Sequence, residues 1–344
     1  MGEYGVTRCS ARNASKWCCK MGLAALIAIG LFVPLLQGQS ETARMLDPRL
    51  GKLQTSLETS VTRTESSHIQ KQDSGLRMVD YDLQLLVPLR QSKVSELAMT
   101  VGAGALDIAS RAQLSNSAEP LPDHLWNIRF GGSYRQYLDE EQMFGVVGHI
   151  GSPSDKPFDS IEEVEVNLTG MLRIKAEDYN AWILLLNFSN NRDFLPYVPI
   201  PGAGYFYQPS REFHALLGAP LTFFSWQFQE KWKFFASYIF PRKLHAELSY
   251  AATEKAKLYG RFDWRSRRWF RTKRDDDSDR LNYYEKLARG GVQFDLTKTF
   301  TIDVHAGYAF DRFFYEGNDY DDRSFNRISV SDGPFAGIEA AVRF

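Results

Sequence analysis

The chain has 344 residues, 44% hydrophobic and 24% charged, with a formal net charge of −1. That balance excludes a disordered tail protein and leaves no basic footprint for nucleic acid. It carries 24 Phe, 16 Tyr and 7 Trp, yet its mean hydropathy is −0.34, which excludes a bundle of transmembrane helices, each needing about 20 apolar residues.

Residues 1–40 read as a secretory signal peptide. Arg8, Arg12, Lys16 and Lys20 against Glu3 form a basic leader, Met21–Leu36 is uncharged, and Gly38 and Ser40 are small residues at cleavage spacing. An uncleaved anchor helix is the alternative, but the apolar run is short for a span. Cys9, Cys18 and Cys19 all precede that run. The mature chain is therefore expected to lack disulfides, thiolate metal sites and a lipidated cysteine. An exported chain without disulfides suits a bacterial envelope.

Residues 41–75 form a polar lead-in rich in Ser, Thr and Gln, in which Leu53, Thr55, Leu57, Thr59 and Val61 alternate weakly and offer a first strand. From residue 76 to 344 one pattern recurs: period-2 segments separated by turn residues. Val79, Tyr81, Leu83 and Leu85 alternate with Asp80, Asp82 and Gln84. Trp126, Ile128, Phe130 and Tyr134 alternate with Asn127, Arg129, Ser133 and Arg135. Val166, Leu168, Leu172 and Ile174 alternate with Glu165, Asn167 and Arg173. Further on, Leu244, Ala246 and Leu248 alternate with His245 and Glu247, and Leu258, Phe262 and Trp264 with Arg261 and Asp263. The longest run places Phe300, Ile302, Val304, Ala306, Tyr308 and Phe310 on one face and Asp303 and His305 on the other. Residues two apart fall on opposite sides of a helix, so these are strands.

Charges in mid-strand need a wet interior, and aromatic residues gather near the ends of the apolar faces, as in the girdles of membrane barrels. The expectation is an all-β antiparallel transmembrane β-barrel over 76–344, with Arg129, Arg135, Glu165, Arg173, His245, Glu247, Arg261, Asp263, Asp303 and His305 lining the pore. Short connections (Gln91–Lys93, Asp139–Glu141, Ala176–Asp178, Thr297–Thr299) alternate with long ones, among them Ser110–Asp123, Ser189–Ser210 and Phe314–Asp332. Both ends of the chain then lie on the short-turn side, which requires an even number of strands. Fourteen is the expected count and twelve the fallback, with Glu212–Phe240 supplying two.

The segment PIPGAGYFYQPS (Pro199–Ser210), followed by LLGAP (Leu216–Pro220) and Trp232, resembles the Pro/Gly-rich centre of an uncharacterised bacterial family, domain-of-unknown-function family 6268. The resemblance implies an outer-membrane β-barrel over about Gly75 to Phe344 and brings no catalytic residues. Read physically, Pro199, Gly202, Tyr205 and Tyr207 belong to a stiff loop, packed outside or folded inward as a pore constriction.

The six histidines show no zinc spacing and there is no GxSxG elbow. No catalytic residue, metal or cofactor is expected. The acidic runs Arg274–Arg280 and Glu316–Arg323 supply oxygen ligands of the type Ca²⁺ takes, but flanking arginines favour solvated loops. Arg265, Arg267, Arg268 and Arg271 are expected against lipopolysaccharide headgroups. The chain closes on Ala336, Ile338, Ala340, Val342 and Phe344, and the terminal aromatic resembles the signal read by the outer-membrane assembly machinery. The functional expectation is a passive channel or small-solute transporter in the outer membrane. A plugged structural or adhesive barrel and a soluble secreted β-protein are the rivals.

Overall fold

A computed structural model describes residues 44–114, 119–274 and 276–344, with the backbone alone at Phe325 and Asn326. The leader read from residues 1–40, with its three cysteines, lies outside the described residues. Seventeen strands follow one another: β1 (Ser56–His68), β2 (Gly75–Gln91), β3 (Ser95–Ser110), β4 (His124–Tyr137), β5 (Gln142–Ser154), β6 (Glu165–Lys175), β7 (Ala181–Ser189), β8 (Ile200–Tyr207), β9 (Phe213–Ala219), β10 (Leu221–Gln229), β11 (Trp232–Ile239), β12 (Lys243–Ala251), β13 (Ala256–Trp269), β14 (Arg280–Asp295), β15 (Phe300–Gly317), β16 (Ile328–Val330) and β17 (Gly333–Arg343). From β1 to β15 each strand pairs antiparallel with the next, β15 pairs with β17, and β17 returns to β1 with Val61 opposite Ile338. The sheet is thus a closed antiparallel barrel of sixteen strands. Strand β16 lies outside the ring, in the connection 318–332, and pairs with β15.

The count exceeds the expected fourteen by two, both from the Pro/Gly-rich middle. β8 runs through the stretch read as a loop, and Glu212–Phe240 supplies three strands instead of two. The physical reason is length. β7 to β12 have seven to nine residues each, whereas β13, β14 and β15 have 14, 16 and 18. Seven to nine residues hold only three or four repeats of the alternation, and Pro201, Gly202 and Gly204 are turn formers by type. Gly202 is nevertheless a strand residue that needs its missing side chain. A Cβ there would lie 2.6 Å from the Ala219 carbonyl oxygen, so only glycine lets β8 approach β9 this closely.

Alternation sorts the two faces. On β15 the even residues Val304 and Tyr308 are exposed while Thr301, Asp303 and His305 are buried, so the even face points outward. The register skips at Glu285 of β14 and Asp311 of β15, and Asp311 has φ of 49°; beyond this bulge the parity reverses. The outward face carries exposed large apolar side chains around nearly the whole circumference: Val61, Leu83, Met99, Phe130, Ile150, Leu168, Leu184, Tyr207, Leu217, Trp226, Leu248, Leu258, Phe294, Val304 and Ile338. At the end with the short turns, aromatic rings meet between strands. Trp182 and Tyr205 lie 4.9 Å apart, Trp232 and Tyr250 4.8 Å, and Phe228 stacks on Trp232 at 6.3 Å.

Candidate functional site

The inward face of β12, β13, β14, β15 and β17 is a charged wall whose side chains answer one another across strands. Arg261 Nε donates to Glu247 Oε2 at 3.0 Å, and Lys257 Nζ lies 3.6 Å from Glu247 Oε1. His245 Nδ1 meets Asp263 Oδ1 at 2.7 Å, and Arg289 Nη2 lies 3.3 Å from Asp263 Oδ2. The Tyr259 hydroxyl donates to Asp303 Oδ1 at 2.8 Å, which also meets His305 Nδ1 at 2.9 Å. Asp303, His305 and Glu339 bring ligand atoms within 4.8 Å of one another. A guanidinium already stands there: Arg289 Nη1 is 3.3 Å from both His305 Nε2 and Glu339 Oε1. The cluster is neutralised from within, which opposes a metal ion.

Other contacts cross the lumen. Arg267 of β13 donates to Asp80 of β2 at 2.7 Å and lies 3.5 Å from Glu285, which also accepts from Arg265 Nε at 2.7 Å. At the long-loop end, Phe270 N donates to the Pro153 carbonyl at 2.7 Å and Thr272 N to Asp155 Oδ1 at 2.9 Å. Phe270 and Ser154 form a parallel bridge. β5 and β13 stand eight places apart in either direction around the ring, so this bridge joins opposite walls. Beneath it an apolar cluster joins Leu76, Met78, Leu106 and Leu125 to Trp269, Leu281, Tyr283 and Phe314. Tyr283 and Phe314 stack at 4.4 Å.

The opposite end is filled by residues 45–51. Met45, Leu46 and Leu50 are buried against inward residues of β5 to β10, including Met143, Val147, Met171, Ile183, Phe206, Leu216 and Phe223. Arg135 Nη1 donates to the Asp47 carbonyl at 2.5 Å, and the Tyr137 hydroxyl to the Pro48 carbonyl at 2.6 Å. Glu96 accepts from Gly51 N at 2.9 Å and from Arg135 Nε at 2.8 Å. Burial raises the Asp47 carboxyl, but hydrogen bonds from Arg49 outweigh it and hold the group below the ordinary carboxylate range. A sixteen-stranded ring is wide enough for an aqueous channel; here Glu247 and His305 are only 2% exposed because the lumen is packed.

All ten sequence-derived lining residues sit on inward positions. Arg261, Asp263, His245, Glu247, Asp303 and His305 join the charged wall described above. Arg129 lies 3.8 Å from Asp82, and Glu165 lies 3.5 Å from His149. Arg135 pairs with Glu96, and Arg173 reaches the Tyr179 carbonyl and lies 5.0 Å from the Phe206 ring centre. The constriction group is corrected. Gly202, Tyr205 and Tyr207 lie on β8 with Pro199 just before it, and both tyrosines point outward, in register with the outward face of β9. The lipopolysaccharide group is corrected at three of its four arginines; the fourth, Arg268, donates to the Asn318 carbonyl at 2.8 Å. Arg265 and Arg267 face the lumen beside Glu285 and Asp80, and Arg271 is buried beside Glu316 at 3.0 Å. These partners lie far away in sequence, and nothing local signals them. In the acidic loops, Arg274 lies 3.6 Å from Asp277 and Arg323 3.0 Å from Asp321, while Asp275 lies outside the described residues. Phe344 is exposed, and its N–H donates to the Thr55 carbonyl at 2.9 Å. The segment 45–51 was missed; its signal was Met45, Leu46 and Leu50 within an otherwise polar stretch.

No protein-family model and no curated protein matches the chain. Among solved structures it is similar to OccK7 (OpdD) of Pseudomonas aeruginosa, at 10% identity over 85% of this chain and 99% of that one, TM-score 0.39. It is similar to an outer membrane channel from Pseudomonas putida F1, at 10% identity over 87% and 98%, TM-score 0.37. A third is the translocator domain of the autotransporter NalP from Neisseria meningitidis, at 8% identity over 98% and 100%, TM-score 0.35.

Proposed function

We propose that the chain is an outer-membrane β-barrel acting as a gated channel for small polar solutes, with its lumen shut in this conformation. The observation that carries the reading is the pairing of an exposed apolar belt with an inward charged wall. A belt running around nearly the whole circumference far exceeds the apolar patches that monomeric soluble proteins expose. In lipid the same belt is required, and a closed ring leaves no backbone group unpaired in hydrocarbon. A soluble β-protein would have the two faces reversed. The short turns then lie in the periplasm and the longer loops outside. The terminal Phe344 would serve the assembly machinery, and the role is transport, not catalysis. Mixed charge on the wall suits small polar solutes of either sign.

Near-complete burial of the wall residues favours a second reading, a permanently plugged structural barrel. Membrane fractionation with heat-modifiable gel migration tests the placement, and planar-bilayer recording separates the two readings. Recovery in the membrane fraction, a migration shift on boiling and discrete conductance steps are expected. Recovery as a soluble periplasmic protein without a shift would refute the placement, and a silent barrel under all conditions would leave the structural reading in its place.

A further inference from the structure

We infer that Met45–Gly51 is a displaceable plug, an autoinhibitory segment that shuts the periplasmic end of the lumen; this rests on the channel reading above. The inner wall differs around the ring. On β12 to β17 it is charged, whereas on β5 to β10 it carries Met143, Val147, Ile183 and Leu216, which would face water in an empty lumen. The segment supplies the matching surface through Met45, Leu46 and Leu50, all buried. Its fit extends to the wall's glycine: a Cβ on Gly145 would stand 2.5 Å from Met45 Cε, so the plug's methionine is seated directly against this wall position.

The attachment is of a kind that can be undone. Residues 45–51 form no ladder with any strand, and 52–55 connect them to β1. Among their polar anchors are side chains of the wall: Arg135, Tyr137 and Glu96. Asp47 and Arg49 pair with each other at 2.8 Å, so the plug leaves no lone charge on the apolar wall. Its departure would break no strand pairing and would expose an apolar wall that other apolar groups can cover.

The test uses the full chain in lipid nanodiscs and planar bilayers, with Cys9, Cys18 and Cys19 changed to Ser and Ile183→Cys as a reporter on the wall. A membrane-impermeant maleimide should label this cysteine slowly. The double change Leu46→Asp and Leu50→Asp, or deletion of 45–51, should speed labelling at least tenfold and raise the open fraction in bilayers. A synthetic peptide of residues 44–52 added at the short-turn side should restore protection; the same peptide carrying both aspartates should not. Heat-modifiable migration verifies that each variant is a folded barrel. Equal labelling rates in folded wild-type and disrupted barrels would overturn the plug. Faster labelling with silent bilayers would uphold the plug and overturn the channel reading instead.

Discussion

Arg135 and Glu96 are nearly inaccessible to solvent; Arg135 Nε and Nη2 both donate to Glu96 Oε1, while Glu96 Oε2 receives Gly51 N. Removing one partner of a buried pair strands the other charge at a cost of ~3–5 kcal/mol, whereas replacing both with apolar residues of similar size is often near neutral. Glu96→Gln should therefore destabilise the folded barrel strongly, and Glu96→Leu with Arg135→Met should recover much of the loss in urea titrations. An exposed pair such as Arg63 and Glu65, 3.8 Å apart, is worth at most ~1 kcal/mol by comparison. The two faces of β15 give a second contrast. Val304 points outward between Val292 and Ile338, so Val304→Arg should cost ~2–4 kcal/mol if it sits near mid-bilayer. Asp303→Asn keeps the shape but weakens charge-assisted bonds from Tyr259 and His305, and should cost ~1–3 kcal/mol by the same titration. The side on which a residue lies was legible from alternation. Its partner was not: Arg267 meets Asp80 from five strands away around the ring.

At the scale of elements, long strands were easy to read and short ones were not. β15 shows alternation over eleven residues before its bulge, while β9 has only seven residues in all. The sharpest consequence falls on β8, where residues with turn chemistry form a wall strand. Tyr205 packs against Trp182 on the outer surface. Tyr205→Arg should lower the denaturant midpoint of the folded barrel and leave single-channel conductance unchanged. A loop constriction would give the reverse, with normal stability and altered conductance. β17 closes the ring against β1, so Phe344→Asp at its end should reduce the amount of assembled barrel in the outer membrane more than the stability of whatever assembles. Quantitative blotting of membrane fractions measures the first, and urea midpoints the second.

For the whole molecule, parity was the useful sequence constraint: an even count held even though two short strands escaped notice. The filled lumen escaped notice altogether, because it depends on contacts between walls eight strands apart and on three apolar residues in a polar lead-in. The central claim is that the face bearing Ile302, Val304 and Ala306 meets lipid while Asp303 and His305 meet the packed interior. Spin labels placed one at a time at residues 302 to 306 in reconstituted bilayers test it directly, through collision rates with molecular oxygen and with a water-soluble nickel chelate. The account predicts high oxygen and low nickel accessibility at 302, 304 and 306, and low oxygen accessibility at 303 and 305. High nickel accessibility at 302, 304 and 306 would put that face in water and contradict the membrane barrel.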